Sequence, residues 1–188
     1  MLRIITGTAK GKRIETLEGE ATRPTSERIK EAVFSSIQFD VEERRVLDLF
    51  AGSGQLGLEA LSRGAKTATF IDSSREAMEV VKRNARATGF FDVCRYNVSD
   101  WRNYIRKASG RDKYDLVFID PPYSMECCAD ALVRLCESGL LLGGAIVVLE
   151  SGTEDVCPEN FPEFEVIKST HYGKKTFVNI FLYKGERE

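Results

Sequence analysis

The chain has 188 residues, of which 43% are hydrophobic, and a formal net charge of −2. That is enough for one ordinary domain with a short appendage. No run approaches the roughly 20 uninterrupted apolar residues of a membrane helix, and Met1-Leu2-Arg3-Ile4-Ile5-Thr6-Gly7 lacks the apolar stretch of a secretory leader. The single histidine, His171, argues against a serine–histidine triad or a histidine-rich metal site. Five cysteines (94, 127, 128, 136, 157), without Cys-x-x-Cys spacing, read as reduced cytoplasmic thiols with no metal.

In chain order, residues 1–22 read as a small β-hairpin appendage, with Arg3–Thr6 and Lys12–Glu15 flanking a Gly7–Gly11 turn. Residues 1–14 carry Arg3, Lys10, Lys12 and Arg13 and no acid, and Arg23, Arg28 and Lys30 follow. This basic patch on a slightly acidic chain is expected to grip nucleic-acid phosphates. Because it precedes the core, its removal is expected to spare folding. Residues 23–188 form the main domain. Arg23–Arg28 opens a helix that Thr25 or Ser26 can cap, with Val33, Phe34 and Ile37 on its apolar face.

From Arg45 onward, strands and helices alternate: strand 45–50, helix 55–63, strand 67–72, helix 74–88, strand 93–98, helix 100–108, strand 114–120, helix 125–138 and strand 144–150. Such alternation predicts a parallel sheet covered on both faces. Two further runs, 164–170 and 176–184, have no helix between them and predict an antiparallel hairpin in the same sheet.

The first strand of the alternation ends in Asp48-Leu49-Phe50, and Ala51-Gly52-Ser53-Gly54 follows. Glycines allow the tight strand-to-helix turn and close approach of a ligand to the backbone. Gly52, Gly54 and Gly57 match the dinucleotide-site pattern. Asp48 would repel a pyrophosphate but suits the cationic amino group of S-adenosylmethionine (SAM). The second strand ends in Asp72, 24 positions after Asp48, near the spacing of a ribose-binding acid. In the helix that follows, Met78, Val81 and Ala85 point inward and Lys82, Arg83 and Arg86 outward. The third strand leads into Ser99-Asp100, an acid suited to an adenine amino group. The candidate cofactor residues are therefore Asp48, Phe50, Gly52, Gly54, Asp72, Ser73, Ser99 and Asp100.

The fourth strand runs into Asp120-Pro121-Pro122-Tyr123. Two adjacent prolines make a stiff, pre-set turn that fixes the carboxylate, the neighbouring carbonyls and the aromatic ring. Carboxylate and carbonyl accept hydrogen bonds from an exocyclic amino group, and a ring stacks on a flat base. Asp120, Pro121 and Tyr123 are the candidate catalytic residues.

The Asp-Pro-Pro-Tyr turn resembles the signature of methyltransferases that alkylate planar amino groups. The alternating strands, glycine turn and closing hairpin resemble the SAM-dependent class I methyltransferase fold, a Rossmann-like, seven-stranded, mostly parallel sheet with an antiparallel last strand. More narrowly, the chain is similar to the bacterial family that methylates the exocyclic N2 of a guanine in small-subunit (16S) ribosomal RNA. That similarity rests on Arg3-Ile-Ile-Thr-Gly7, Lys10-Gly-Lys-Arg13, Arg23-Pro-Thr25 with Arg28, Glu31-Ala-Val-Phe34, Asp48–Gly54 with Leu56–Arg63, and Val117–Tyr123. The resemblance implies SAM as cofactor, a ribosomal RNA or small-subunit assembly intermediate as partner, and RNA contacts from Arg3, Lys10, Lys12, Arg13, Arg23, Thr25 and Arg28. Adenine-N6 methylation, protein glutamine methylation and a non-catalytic, SAM-retaining RNA-binding module are the alternatives that the same residues leave open.

Overall fold

The computed structural model describes residues 2–17, 26–122, 124–152, 160–173 and 176–185. It divides into two compact units, Met1–Asp100 and Trp101–Glu188.

The first unit contains β1 (Leu2–Arg3), β2 (Arg13–Ile14), α1 (Ser26–Ser36), β3 (Arg45–Asp48), α2 (Gln55–Ser62), β4 (Thr67–Asp72), α3 (Arg75–Thr88) and β5 (Cys94–Val98). Strands β3, β4 and β5 are parallel neighbours, with Asp48 beside Phe70 and Asp72 beside Val98. Their apolar runs place Val46, Leu47, Phe70 and Ile71 in the core. Helix α3 shows both end signals of a well-specified helix. The Ser74 hydroxyl accepts from Ala77 N at 3.1 Å at its start, and Gly89 turns left-handed at its end. Its inward stripe is the expected one, with Met78, Val81 and Ala85 buried.

The second unit contains α4 (Trp101–Ala108), β6 (Tyr114–Ile119), α5 (Cys128–Glu137), β7 (Leu141–Ser151), β8 (Phe164–Tyr172) and β9 (Thr176–Tyr183). Strands β6 and β7 are parallel, and β9 runs antiparallel to both β7 and β8. The sheet order is β5-β4-β3-β6-β7-β9-β8, so the final strand of the closing hairpin inserts ahead of its partner. Strand β7 begins at Leu141 rather than 144. Gly143-Gly144 lies where the register shifts between the Tyr114 and Leu116 pairs. No helix among the described residues is long and apolar enough to cross a membrane.

The N-terminal segment is a two-stranded ladder, Leu2 opposite Ile14 and Arg3 opposite Arg13, but it is not a loose tail. Ile4, Ala9 and Ile14 are buried. Ile5 N and Thr6 N donate to the two carboxylate oxygens of Glu59 at 2.7 and 3.0 Å. Thr8 N donates to the Ser62 carbonyl, Ala9 N donates to the Ser62 hydroxyl, and that hydroxyl donates to the Thr6 carbonyl. Gly7 sits so close that a Cβ would lie 1.7 Å from the Ser62 carbonyl oxygen, and its φ of +88° also favours glycine. The expectation that residues 1–14 can be removed without cost to folding is therefore corrected: their amides satisfy a fully buried carboxylate.

Lys30 needs a second correction. Read as part of a basic patch, it is 2% exposed. Its ammonium donates to the Arg3 carbonyl at 2.8 Å and lies 3.6 Å from Glu59. Burial lowers its pKa, opposed by the Glu59 charge. Glu59 also accepts from Arg63 Nε at 2.8 Å, so a buried acid with two cations and two amides joins α1, α2 and the hairpin.

Candidate active site

Strands β3, β4 and β5 each deliver an acid at or just beyond their C-terminal ends. Asp48 is the last residue of β3 and is 2% exposed. Its Oδ2 accepts from Gly57 N at 3.1 Å. Gly54, at the N-cap of α2, has no side chain to cap the helix, and Asp48 reaches across from the strand to do so. A carboxylate at a helix N-terminus is also favoured by the helix dipole. Gly57 permits this closeness, because a Cβ there would meet the Phe70 ring at 2.4 Å. The third glycine of the pattern thus serves helix–strand packing.

Asp72 ends β4 half-buried. Its Oδ2 accepts from Gly52 N at 2.9 Å and its Oδ1 from Ser74 N at 2.8 Å. One carboxylate therefore ties the glycine turn to the start of α3, and each oxygen keeps a lone pair for a further donor. Gly52 and Gly54 both have positive φ, 52° and 80°, and the turn closes through Gly54 N to the Ala51 carbonyl at 2.6 Å. Phe50 and Ser99 are partly exposed, and Ser73 and Asp100 are exposed. Ser99 N donates to the Asp72 carbonyl at 2.9 Å, so β5 leaves the sheet beside the same acid. The structure brings Asp72, Gly52 and Ser99 together by direct bonds, and Asp48 braces the turn from beneath.

In the second unit, Asp120 directly follows β6, with Pro121 buried and Pro122 exposed. Met125 N donates to the Pro122 carbonyl at 2.8 Å, closing the turn after the prolines. Helix α5 therefore starts at Cys128, later than 125, since residues up to Cys127 belong to that turn. Tyr123, Arg23 and Thr25 lie outside the described residues.

The remaining RNA candidates differ in their surroundings. Lys10, Arg13 and Arg28 are exposed. Arg3 is exposed, 3.8 Å from Glu27. The Lys12 ammonium donates to the Thr88 carbonyl at 3.0 Å, where a cation at a helix C-terminus is favoured. Cys94, Cys127, Cys128 and Cys136 are unbridged. No cluster of three or more potential metal-ligating His, Cys, Asp or Glu side chains occurs among the described residues.

Glu59, Ser62 and Asn84 escaped the sequence reading. Each left a signal: Glu59 and Ser62 stand in an otherwise apolar helix, and Asn84 interrupts the inward stripe of α3. The orphaned Ser53 hydroxyl, buried in the glycine turn without a hydrogen-bond partner among the described residues, had none.

A strand-end acid bonded to a left-handed glycine turn, in a sheet of this order, defines the class I methyltransferase fold. The chain belongs to the family described as conserved hypothetical protein 95, whose model matches residues 2–181. It is 31% identical to the ribosomal RNA small subunit methyltransferase D of Haemophilus influenzae, covering 85% of this chain and 84% of the relative. It is 32% identical to the Escherichia coli protein of the same name, over 84% of this chain and 78% of that one. A solved Escherichia coli structure titled "Putative methyltransferase yhhF" superposes with a TM-score of 0.87 at 28% identity, covering 98% of this chain and 99% of that one.

Proposed function

We propose that this protein transfers a methyl group from SAM to the exocyclic N2 of a guanine in small-subunit ribosomal RNA. The observation that carries the reading is Asp72, held at the end of β4 by Gly52 N and Ser74 N with acceptor capacity remaining. Such a carboxylate suits the vicinal hydroxyls of a ribose. The donor set fits SAM: two left-handed glycines keep the turn free of side chains, and Asp48 beneath it favours a cationic ligand over a pyrophosphate. The family relatives named as ribosomal RNA methyltransferases support the substrate class.

SAM held there would supply a sulfonium-activated methyl group, its S–C bond breaking to leave a neutral thioether. The chain's task is to improve a poor nucleophile, because the guanine N2 lone pair is delocalised into the ring. Asp120 and the Pro121 carbonyl accept hydrogen bonds from the amine, draw it toward tetrahedral geometry and orient it; orientation of this kind is worth on the order of several kcal/mol. Asp120 then takes the proton released from nitrogen as the N–C bond forms. Tyr123 stacks on the extruded base, worth ~1–3 kcal/mol. Arg3, Lys10, Arg13, Arg23 and Arg28 contact phosphate, and the site of work is the cytoplasm, on a small-subunit assembly intermediate.

The test is methylation of unmodified small-subunit RNA by the purified protein, both free and in partially assembled particles, followed by nucleoside mass spectrometry. N2-methylguanosine is expected, with higher yield in particles. Asp120→Ala is expected to abolish transfer and keep SAM affinity. N6-methyladenosine, or no product from either substrate, overturns the reading.

A further inference from the structure

We infer that Asn84 is a positioning residue that locks the glycine turn and the N-terminal segment into one unit, so that cofactor affinity depends on the docking of that segment. The cofactor half of this statement rests on the SAM reading above.

Asn84 lies on the inward face of α3 and is 1% exposed. Its Oδ1 accepts from Glu15 N at 2.8 Å. Its Nδ2 donates to the Glu15 carbonyl and to the Ser53 carbonyl, each at 2.9 Å. One N–H and two C=O groups engage the amide oxygen and both amide hydrogens, so the orientation of the side chain is fixed. Among ordinary side chains of this length, no carboxylate, hydroxyl or apolar group supplies two donors and one acceptor. A buried amide costs free energy unless all its bonds are made, so losing any one partner penalises the other two.

The partners are unrelated in sequence. Ser53 is the central residue of the Gly52–Gly54 turn, and Glu15 directly follows β2. The clamp is reinforced at Glu15 by the Arg83 guanidinium, 2.9 Å from the Glu15 carboxylate. The Asn84 side chain bonds Glu15 and Ser53 and so acts through the turn.

The first test needs no variant. In native-state hydrogen exchange of the ligand-free protein, the Glu15, Gly52 and Gly54 amides are expected to open with matching protection, as one unit. Glu15 exchanging more than about a hundredfold faster than the turn amides overturns the proposal, whatever the protein binds. The second test uses Asn84→Asp, which keeps the acceptor and replaces both donors with an oxygen facing two carbonyls, and Asn84→Ala, which adds no charge. SAM affinity by calorimetry is expected to fall about tenfold in either folded variant. Lys66→Met, at an exposed side chain outside the clamp, is expected to leave affinity within about twofold. Wild-type SAM affinity in a folded Asn84 variant overturns the proposal. If wild type binds no SAM, the cofactor reading fails and the exchange measurement alone decides the clamp.

Discussion

Asp72 holds the glycine turn and is the proposed ribose acceptor, so its substitution is expected to have two consequences. Asp72→Ala removes the proposed ribose acceptor and is expected to weaken SAM binding. Since the carboxylate also accepts from Gly52 and Ser74, the variant is expected to lose about 1 kcal/mol of stability as well. Calorimetry and urea unfolding on the same preparation separate the two effects. At Glu59 the penalty is asymmetric. Glu59→Ala strands the buried Lys30 ammonium and two hairpin amides, and a cost of about 3–5 kcal/mol is expected. Lys30→Met leaves Glu59 with Arg63 and both amides and is expected to cost less in the same urea experiment. Cys94 gives a pH signature. Burial pushes its thiol from 9.0 up to about 12, with a hydrogen bond to Tyr96 pulling the other way. An acid raised in the folded state keeps its proton while the unfolded chain releases it, so its contribution is whole below about pH 9 and is lost as pH rises toward 12. Cys94→Ala is expected to flatten that alkaline decline in thermal unfolding; an unchanged slope removes the thiol as its cause.

The N-terminal hairpin shows what charge counting reveals and what it hides. Its two strands and turn were legible from Gly7–Gly11 and the flanking apolar residues, and its positive charge was plain. That its backbone would satisfy Glu59 and Ser62 was not, because backbone partners leave no mark on composition. Lys12 is the instructive residue: read as a phosphate contact, it caps α3 through the Thr88 carbonyl. The clean probe of RNA contact is therefore the Lys10→Ala, Arg13→Ala double variant with Lys12 retained. Its RNA affinity is expected to fall less steeply with salt than wild type, by about two in log–log slope if both cations meet phosphate. Identical slopes would place the RNA elsewhere. Gly7→Ala is expected to destabilise by more than about 2 kcal/mol, since its Cβ meets backbone rather than a side chain that can move. Equal midpoints in urea would mean that the Ser62 turn yields.

At the scale of the whole chain, the alternation of apolar strands with amphipathic helices was readable because parallel strands are continuous apolar runs, as in Tyr114–Ile119, and because α3 carries a clear helical stripe. The insertion of β9 between β7 and β8 was not readable, since both hairpin strands look alike from pattern alone. Of the candidate site, the strand-end acids and glycine turn were legible as residue types at recurring spacing, whereas the Asn84 clamp depends on backbone carbonyls that any sequence possesses. The distance along the chain between the hairpin and its partners has a consequence for synthesis. Beyond its own turn and the Lys30 bond to the Arg3 carbonyl, the hairpin finds its partners 53 to 76 positions later, at Glu59 through Thr88, so local structure satisfies it only in part as it emerges. A nascent chain released after Ser62 is expected to leave residues 2–14 open to protease, and one released after Gly89 to protect them. The hairpin is thus among the last parts of the first unit to acquire its final shape.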